Sequence, residues 1–222
     1  MNNFKRRFVI NLERRSDRYL EFLNRIPFDK NLIERYNAID GKDIKTKHDN
    51  PYVVGCHLSH KNILNIVAND DSLNDDDLII IFEDDVFFSD NNFEKEIVSL
   101  FDSIKYIESK HFIIYIGGRF TPNFNPILKR WKHIANRLYH KKGEYRDYRS
   151  SDYDRTAHVI ILNKLTCKTI IEKTKNVDLS MPIDTLYNNI RNYEPDLQIY
   201  DIFPHLCYSP ADYKTDIQNF KK

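Results

Sequence analysis

The chain has 222 residues, with 34 Lys or Arg against 33 Asp or Glu, so its formal net charge is only +1. This length suits one domain with a buried core, which excludes a fibrous or disordered protein. The near-neutral charge gives no global attraction to nucleic acid or to an anionic membrane. Three cysteines without a CxxC spacing argue against a disulfide framework and a structural zinc site. We expect buried thiols and a cytoplasmic protein, or one of the host cytoplasm if the source is a virus.

Short apolar runs recur along the chain with helical patterns between them. The runs are continuous rather than alternating, which is typical of strands that are covered on both faces. They are FVINL at 8–12, LIIIF at 78–82, FIIYI at 112–116, HVIIL at 158–162 and, as a final strand, LQIYDIF at 197–203. The sequence therefore predicts an α/β fold with a mostly parallel central sheet flanked by helices.

Helices are predicted between these runs because apolar side chains recur there at threes and fours. Ser16 and Asn163 are candidate N-caps, since their side-chain oxygens can accept from the free N–H groups of a first helical turn. The predicted helices span 16–25, 57–69, 92–108 and 163–175, and a shorter one follows Pro182.

A single domain over 1–222 is predicted, because no internal repeat or linker is visible. It contains a basic and aromatic insertion at about 120–156. Within it, the segment 129–155 carries nine Lys or Arg against four Asp or Glu and almost no aliphatic core formers. A flap over an acceptor and a plain solvated insertion are both compatible with this composition.

The strongest candidate for chemistry is the triplet Glu83, Asp84 and Asp85, which follows a buried strand directly. Ligands of parallel sheets bind outside the carboxyl ends of the strands. Three adjacent carboxylates repel one another unless a cation neutralises them, and oxygen ligands favour Mg²⁺ or Mn²⁺, which could bind a diphosphate. The alternative is an acidic turn that caps a following helix. The acids within 70–77 lack apolar cover and are expected in a solvated loop.

Three other polar groups are candidates, each with a plain structural alternative. Asn11, Arg15 and Arg18 follow the first strand, where arginines and helix N–H groups can hold nucleotide phosphates, although a solvated turn with local ion pairs fits equally. Two histidines three apart in 55–60 could reach one ligand, or this segment could be a capped helix start. Asp184 lies in the first turn of the short helix, where an acid is usual.

Eight segments, taken in chain order, resemble glycosyltransferase family 25, which includes bacterial lipooligosaccharide galactosyltransferases and collagen-modifying galactosyltransferases. The segments are VINLERRSDR (9–18), RYNAIDGKD (35–43), GCHLSH (55–60), IIFEDDV (80–86), IYIGG (114–118), AHVIILNK (157–164), PID (182–184) and TDIQ (215–218). The resemblance implies a GT-A type, Rossmann-like fold and inversion at the anomeric carbon. It also implies Mn²⁺ or Mg²⁺ and a UDP-sugar donor, with UDP-galactose first, and a glycan, glycolipid or protein acceptor.

The resemblance further implies roles for individual residues. Asp85, with Glu83 or Asp84 assisting, would hold the metal against the donor pyrophosphate, and Asp184 would be the general base. Asp216 or His205 would complete the metal shell. The donor side would be lined by Asn11, Leu12, Arg15, Arg18, Ser59, His60, Glu83 and Asp84.

Three rival functions are disfavoured by the sequence. A metal-dependent sugar-nucleotide phosphohydrolase would need an aspartate pair and a later lysine in an order that is not found. An inactive sugar-binding module would not need Asp85 and Asp184. A nucleic-acid binder that uses 129–155 conflicts with the near-neutral charge. The apolar run near the N-terminus is too short for a signal peptide or a membrane span, which leaves only peripheral membrane contact open.

Overall fold

The structure is a computed structural model that describes residues 3–88, 93–104, 107, 109–120, 157–201 and 206–210. The strands in these ranges are β1 Phe4–Asn11, β2 Glu34–Asn37, β3 Leu78–Glu83, β4 Phe87–Phe88, β5 Phe112–Tyr115, β6 Gly117–Phe120, β7 Val159–Asn163, β8 Gln198–Asp201 and β9 Cys207–Pro210. The α-helices are α1 Ser16–Arg25, α2 Pro51–Ala68, α3 Phe93–Ile104, α4 Lys164–Lys173 and α5 Ile183–Asn188.

The central sheet has six strands in the order β2-β1-β3-β7-β5-β8. β1 is parallel to β2 and β3, and β5 is parallel to β8, whereas β7 is antiparallel to both of its neighbours. The predicted α/β fold with a mostly parallel sheet is confirmed. The run that forms β7 reads like the others because burial on both faces, not strand direction, sets continuous hydrophobicity.

The central sheet packs against two apolar cores, one on each face. Ile80 and Phe82 pack in a cluster with residues of α1 and α3, while Ile79 and Ile81 pack in a cluster with residues of α2, α4 and α5. All four are fully buried, and each such side chain stabilises the fold by about 1.5–3 kcal/mol. Apolar side chains are therefore required on both faces of β3 over 78–82, so its polar residues are confined to the end of the strand, beginning at Glu83.

A smaller sheet of order β4-β9-β6 adjoins the end of β3. β4 is antiparallel to β9, and β6 is parallel to it. The chain passes from β3 to β4 through a tight turn at 84–85. The acidic triplet therefore lies where the two sheets meet.

The two predicted N-caps had different outcomes. Asn163 caps α4 as predicted, because its side chain accepts from Thr166 N at 2.8 Å. The prediction for Ser16 is wrong: Ser16 is already the first residue of α1, and Arg15 precedes it without a side-chain capping hydrogen bond. A short 3₁₀ turn at Glu13–Arg15 leads directly into the helix.

Helix α2 begins at Pro51, well before the predicted start at residue 57. Asn50 caps it by accepting from Tyr52 N at 3.1 Å, and proline is favoured in the first helical position because it has no N–H to satisfy. The motif at 55–60 therefore lies inside α2, and its interpretation as a helix start is wrong.

Two glycines and a serine hold α2 against the segment that follows β2. A Cβ on Gly55 would lie 2.5 Å from Ile39 O, and one on Gly41 would lie 2.6 Å from Tyr52 N. Ser59 Oγ accepts from Ile39 N at 2.9 Å and donates to Gly55 O at 2.7 Å. The two glycines thus allow the backbone of α2 to lie close to the segment after β2, and Ser59 holds the two together by hydrogen bonds.

Several predictions fall outside the described residues, namely those for His205, Asp216 and the insertion at about 120–156 with its basic segment 129–155. The acids within 70–77 form a polar loop as expected, with Asp75 paired to Lys168 at an exposed position. Within the described ranges, no helix is long and apolar enough to cross a membrane.

Candidate active site

The three acids at the end of β3 are followed by β4, so the alternative that they cap a helix is wrong. Their side chains separate into two groups with different neighbours. Asp84 contacts residues of β1 and α1, whereas Glu83 and Asp85 both contact His158, which directly precedes β7. The side chains separate at the tight turn at 84–85, which directly follows the last residue of β3.

Asp84 is an internal anchor. The Arg18 guanidinium contacts its carboxylate directly, and Asn11 Nδ2 donates to its Oδ2 at 2.6 Å. Arg25 Nη2 donates to the Asp84 main-chain oxygen at 2.9 Å. Burial raises the pKa of Asp84 to about 7 although Arg18 lowers it, and the adjacent Asp85 raises it further. Asp84 therefore holds the turn to α1.

Asn11 is committed to the same anchor. It is 1% exposed, and its Oδ1 accepts from Arg35 Nη2 at 2.6 Å and from Arg35 Nε at 3.0 Å. Its Nδ2 also donates to Arg15 O at 2.9 Å. Arg35, in β2, was not predicted; the parallel register that sets Asn11 beside Asn37 brings it here.

Leu12 and Arg15 lie at the surface end of this network. Leu12 O accepts from Arg15 N at 2.9 Å, and the Arg15 side chain pairs with Asp17 at 2.9 Å while 28% of it is exposed. Of the predicted donor residues on the first turn, Arg15 is the charged group nearest to solvent, whereas Arg18 is buried.

His158 lies between the other two acids. Its Nδ1 is 2.9 Å from Glu83 Oε2 and 3.2 Å from Asp85 Oδ1. Burial alone would lower the pKa of His158, but Asp85 and Glu83 raise it well above its ordinary value. Ser209 Oγ, from β9, donates to Asp85 Oδ2 at 3.2 Å. One protonated imidazole thus compensates the carboxylates of both Glu83 and Asp85.

The other oxygen of Glu83 faces α2. Glu83 Oε1 lies 3.1 Å from His60 Nε2 and 3.7 Å from Cys56 Sγ, and Tyr187 Oη lies 3.4 Å from His60 Nδ1. Burial would raise the pKa of Glu83, but hydrogen bonds from His158 and His60 lower it well below its ordinary value. Glu83 is therefore an ionised carboxylate shared by two polar groups.

The cysteines divide in the same way. Cys167 and Cys207 are buried free thiols, as predicted. Cys56 is only half-buried and contacts Glu83, so the expectation that it is a plain buried thiol is wrong.

The two histidines of α2 do not share a ligand. His57 Nδ1 lies 2.7 Å from Met181 O, whereas His60 points to Glu83. Residues three apart on a helix can meet, but here Met181, in the loop before α5, contacts one ring while Glu83, in β3, contacts the other.

Asp184 occupies the first turn of α5, as predicted. Its Oδ1 accepts from Thr185 N at 2.7 Å. Burial raises the pKa of Asp184, and the negative charge of Glu83 adds to that rise while His158 opposes it. The structure therefore brings Asp184 into the electrostatic environment of the acidic group, although the two lie about a hundred residues apart in sequence.

The group formed by Glu83, Asp85 and His158 fits a divalent cation. Their ligand atoms lie within 4.8 Å of one another. Asp85 Oδ1 is buried, yet over the described ranges it receives no well-formed hydrogen bond, because His158 directs its hydrogen bond to Glu83. Carboxylate oxygens and an imidazole nitrogen suit Mn²⁺ or Mg²⁺. A cation could coordinate this oxygen, which His158 Nδ1 faces at 3.2 Å without forming a hydrogen bond to it.

His158 was missed as a site residue. It precedes β7, whose antiparallel direction sets its first residue beside the last residues of β3: Val159 pairs with Phe82, and Glu83 N donates to His158 O at 2.8 Å. An apolar run does not show whether a strand is parallel or antiparallel. The sequence alone therefore could not show that the residue before β7 lies beside the end of β3.

The family model described as glycosyltransferase family 25 (LPS biosynthesis protein) matches residues 4–187. The chain belongs to glycosyltransferase family 25. The family is one of glycosyltransferases, enzymes that move a sugar from a donor to an acceptor. The matched range includes the acidic triplet, His158 and Asp184.

Two similar proteins were found by sequence and by structure. Human procollagen galactosyltransferase 2 is 28% identical over 132 residues, which cover 50% of this chain and 20% of that protein. This chain therefore spans about a fifth of the length of that relative. A crystal structure of a candidate glucose-1-phosphate thymidylyltransferase from Bacillus anthracis has a TM-score of 0.41 and 13% identity, covering 88% of this chain and 67% of that one.

Proposed function

We propose that this family 25 glycosyltransferase moves galactose from UDP-galactose to a hydroxyl group of a glycan, glycolipid or protein, with inversion at the anomeric carbon. The observation that carries the proposal is the pair Glu83 and Asp85 at the carboxyl end of β3, where Asp85 is buried and its Oδ1 accepts no hydrogen bond within the described ranges. The galactosyltransferase similar to this chain supports the choice of sugar.

Glu83 Oε2, Asp85 Oδ1 and His158 would hold Mn²⁺ or Mg²⁺. A cation bound there would neutralise the donor diphosphate and stabilise the charge of the departing UDP. His158 carries the compensating positive charge between Glu83 and Asp85, so cation binding would release its proton. Ser209 keeps Asp85 oriented through its Oδ2. Asp216 or His205 stays a predicted further ligand.

Asp184 would act as the general base that takes the proton of the acceptor hydroxyl. A carboxylate is ionised at neutral pH, and the raised pKa of Asp184 makes it a stronger base than an ordinary aspartate. Its place on a helix, rather than on β3, separates proton transfer from cation binding.

The predicted donor residues then serve two purposes. We interpret Asn11, Arg18 and Asp84 as positioning residues for the metal turn, because their polar atoms contact one another. Ser59 would position α2. Leu12 and Arg15 stay candidates for the nucleotide, since they lie at the open end of the network, and His60 acts through Glu83.

The test is a donor screen that measures UDP release from each UDP-sugar, with Mn²⁺ present or removed by a chelator. We expect turnover to need both the cation and an acceptor. Asp85→Asn should lose cation-dependent donor binding, whereas Asp184→Asn should keep donor binding and lose transfer. Asp75→Asn, at an exposed acid paired with Lys168, is the matched control and should match the unmodified protein.

Three outcomes would overturn the proposal or its parts. Hydrolysis of a UDP-sugar at a rate independent of acceptor would indicate a phosphohydrolase. Absence of donor binding together with an unaltered Asp85→Asn variant would contradict the proposed function altogether. Equal loss of donor binding in both variants would remove Asp184 as the base.

A further inference from the structure

We propose that Cys56, His60 and Glu83 form a second cation site, selective for a soft divalent ion such as Zn²⁺, on the opposite side of Glu83 from the proposed Mn²⁺ or Mg²⁺ site. The binding claim rests on these residues alone. The consequence for catalysis, argued below, rests on the proposed function.

The geometry brings three different ligand atoms together. Cys56 and His60 are four residues apart on α2, so their side chains lie on one face, one turn apart. That face meets the end of β3, where Glu83 Oε1 lies 3.7 Å from Cys56 Sγ and 3.1 Å from His60 Nε2. All three ligand atoms lie within 4.8 Å of one another.

The donor chemistry favours a soft ion at this site. Zn²⁺ binds thiolate sulfur, imidazole nitrogen and carboxylate oxygen together, and three protein ligands leave one position for water. The group with Asp85 and His158 has no sulfur, which suits the harder Mn²⁺ or Mg²⁺. The two sides of Glu83 therefore differ in the ions that they select.

Tyr187 supports His60 as a ligand. His60 is fully buried, and Tyr187 Oη lies 3.4 Å from its Nδ1. If Nδ1 carries the proton and donates to Tyr187, the lone pair of Nε2 points toward Cys56 and Glu83. Metal-binding histidines usually have such a partner on the second ring nitrogen, and removing it lowers metal affinity about 10–100-fold.

The shared carboxylate couples the two sites. Glu83 Oε1 faces Cys56 and His60, while Oε2 faces His158 and the Asp85 side. A divalent ion on Oε1 would draw electron density from Glu83 and repel a second divalent ion nearby. Zn²⁺ would therefore weaken Mn²⁺ binding and inhibit transfer.

The experiment is a Cd²⁺ titration of the whole protein, followed by the ultraviolet sulfur-to-cadmium charge-transfer band. We expect one thiolate-bound Cd²⁺ per chain, displaced by Zn²⁺. Cys56→Ser should lose the band. Cys167→Ser is the matched control and should keep it, because Cys167 is buried in the apolar core and belongs to neither group of candidate ligands within the described ranges. Tyr187→Phe should weaken Cd²⁺ binding about 10–100-fold.

Two further measurements keep the outcome decisive. Circular dichroism verifies folding of each variant, and if Cys56→Ser does not fold, Zn²⁺ protection of Cys56 against alkylation is measured on the unmodified protein by peptide mass spectrometry. A band that persists in folded Cys56→Ser, or alkylation that Zn²⁺ does not slow, would overturn the soft site.

Mn²⁺ binding, followed separately by electron paramagnetic resonance, distinguishes this inference from the proposed function. A cadmium–thiolate band without Mn²⁺ binding would support the soft site and contradict the metal role in the proposed function. Mn²⁺ affinity that is unchanged by saturating Zn²⁺ would overturn the antagonism.

Discussion

The guanidinium of Arg18 contacts the carboxylate of Asp84, and both side chains are buried. The pair joins α1 to the turn that carries the proposed metal ligands. Arg18 Nη2 also lies 3.9 Å from Asp85 Oδ2, so the same guanidinium contributes positive charge to the neighbouring acid.

Replacing Arg18 with methionine should destabilise the fold by about 3–5 kcal/mol, because it leaves a buried carboxylate without its partner. Urea unfolding at pH 8 measures the loss. Arg15→Met is the control: its ion pair with Asp17 is largely exposed, so it should cost about 0–1 kcal/mol. Equal effects of the two substitutions would contradict the role assigned to the buried pair.

Asp84 should also make stability depend on pH. Its pKa rises from 3.8 to about 7 in the folded protein, so the native state binds more protons than the unfolded state between these values. The free energy of unfolding should therefore fall as pH rises through this window, by at most about 1.4 kcal/mol per pH unit from this one group.

The side chain in Asp84→Asn cannot titrate, so this variant should show a smaller dependence of the free energy of unfolding on pH. Urea unfolding between pH 5 and 7 measures that dependence. Asp17→Asn is the control, since the pKa of Asp17 is lowered to about 2 by its hydrogen bond with Arg15 and lies outside the window. A slope that is unchanged in Asp84→Asn would show that Asp84 is ionised throughout.

The strands and the position of the acidic triplet could be predicted from the sequence because burial on both faces leaves continuous apolar runs. Asp84 could not be separated from Glu83 and Asp85, since that separation depends on Arg18 and Asn11 across the fold. Of the two histidines that contact Glu83, His158 shows the same limit.

His60 was predicted from its motif, whereas His158 was not, because only the antiparallel direction of β7 brings it to β3. The start of α2 was predicted too late, although Asn50 and Pro51 are a recognisable cap and first residue. The roles of His205, Asp216 and the segment 129–155 stay predictions, as does a cytoplasmic location.

If Asp184 is the general base, the profile of kcat against pH should have an acidic limb that is set by the Asp184 carboxylate. The base acts when ionised, and burial raises its pKa above the ordinary 3.8, so kcat should fall with decreasing pH at a higher pH than for a solvated aspartate. The measurement is kcat against pH at saturating donor and Mn²⁺.

Two variants test that assignment. Asp184→Asn should lower kcat at least about 100-fold without changing donor affinity, in keeping with the usual contribution of a general base. Asp178→Asn, in the exposed turn before α5, should keep the limb, because the pKa of Asp178 is lowered by Ser180 rather than raised. A limb centred at or below 3.8 would contradict the role of Asp184.

Gly55→Ala should destabilise the protein although alanine favours helices. An added Cβ would lie 2.5 Å from Ile39 O and 3.2 Å from Gly41 N, so backbone must move. Overpacking of this kind costs about 1–3 kcal/mol, against about 1 kcal/mol gained in helix propensity, so the loss prevails. Asn62→Ala, at an exposed position of α2, is the control and should leave stability within about 0.5 kcal/mol. Thermal unfolding measures both variants, and a Gly55→Ala protein as stable as the unmodified chain would show that α2 can shift away from the segment after β2.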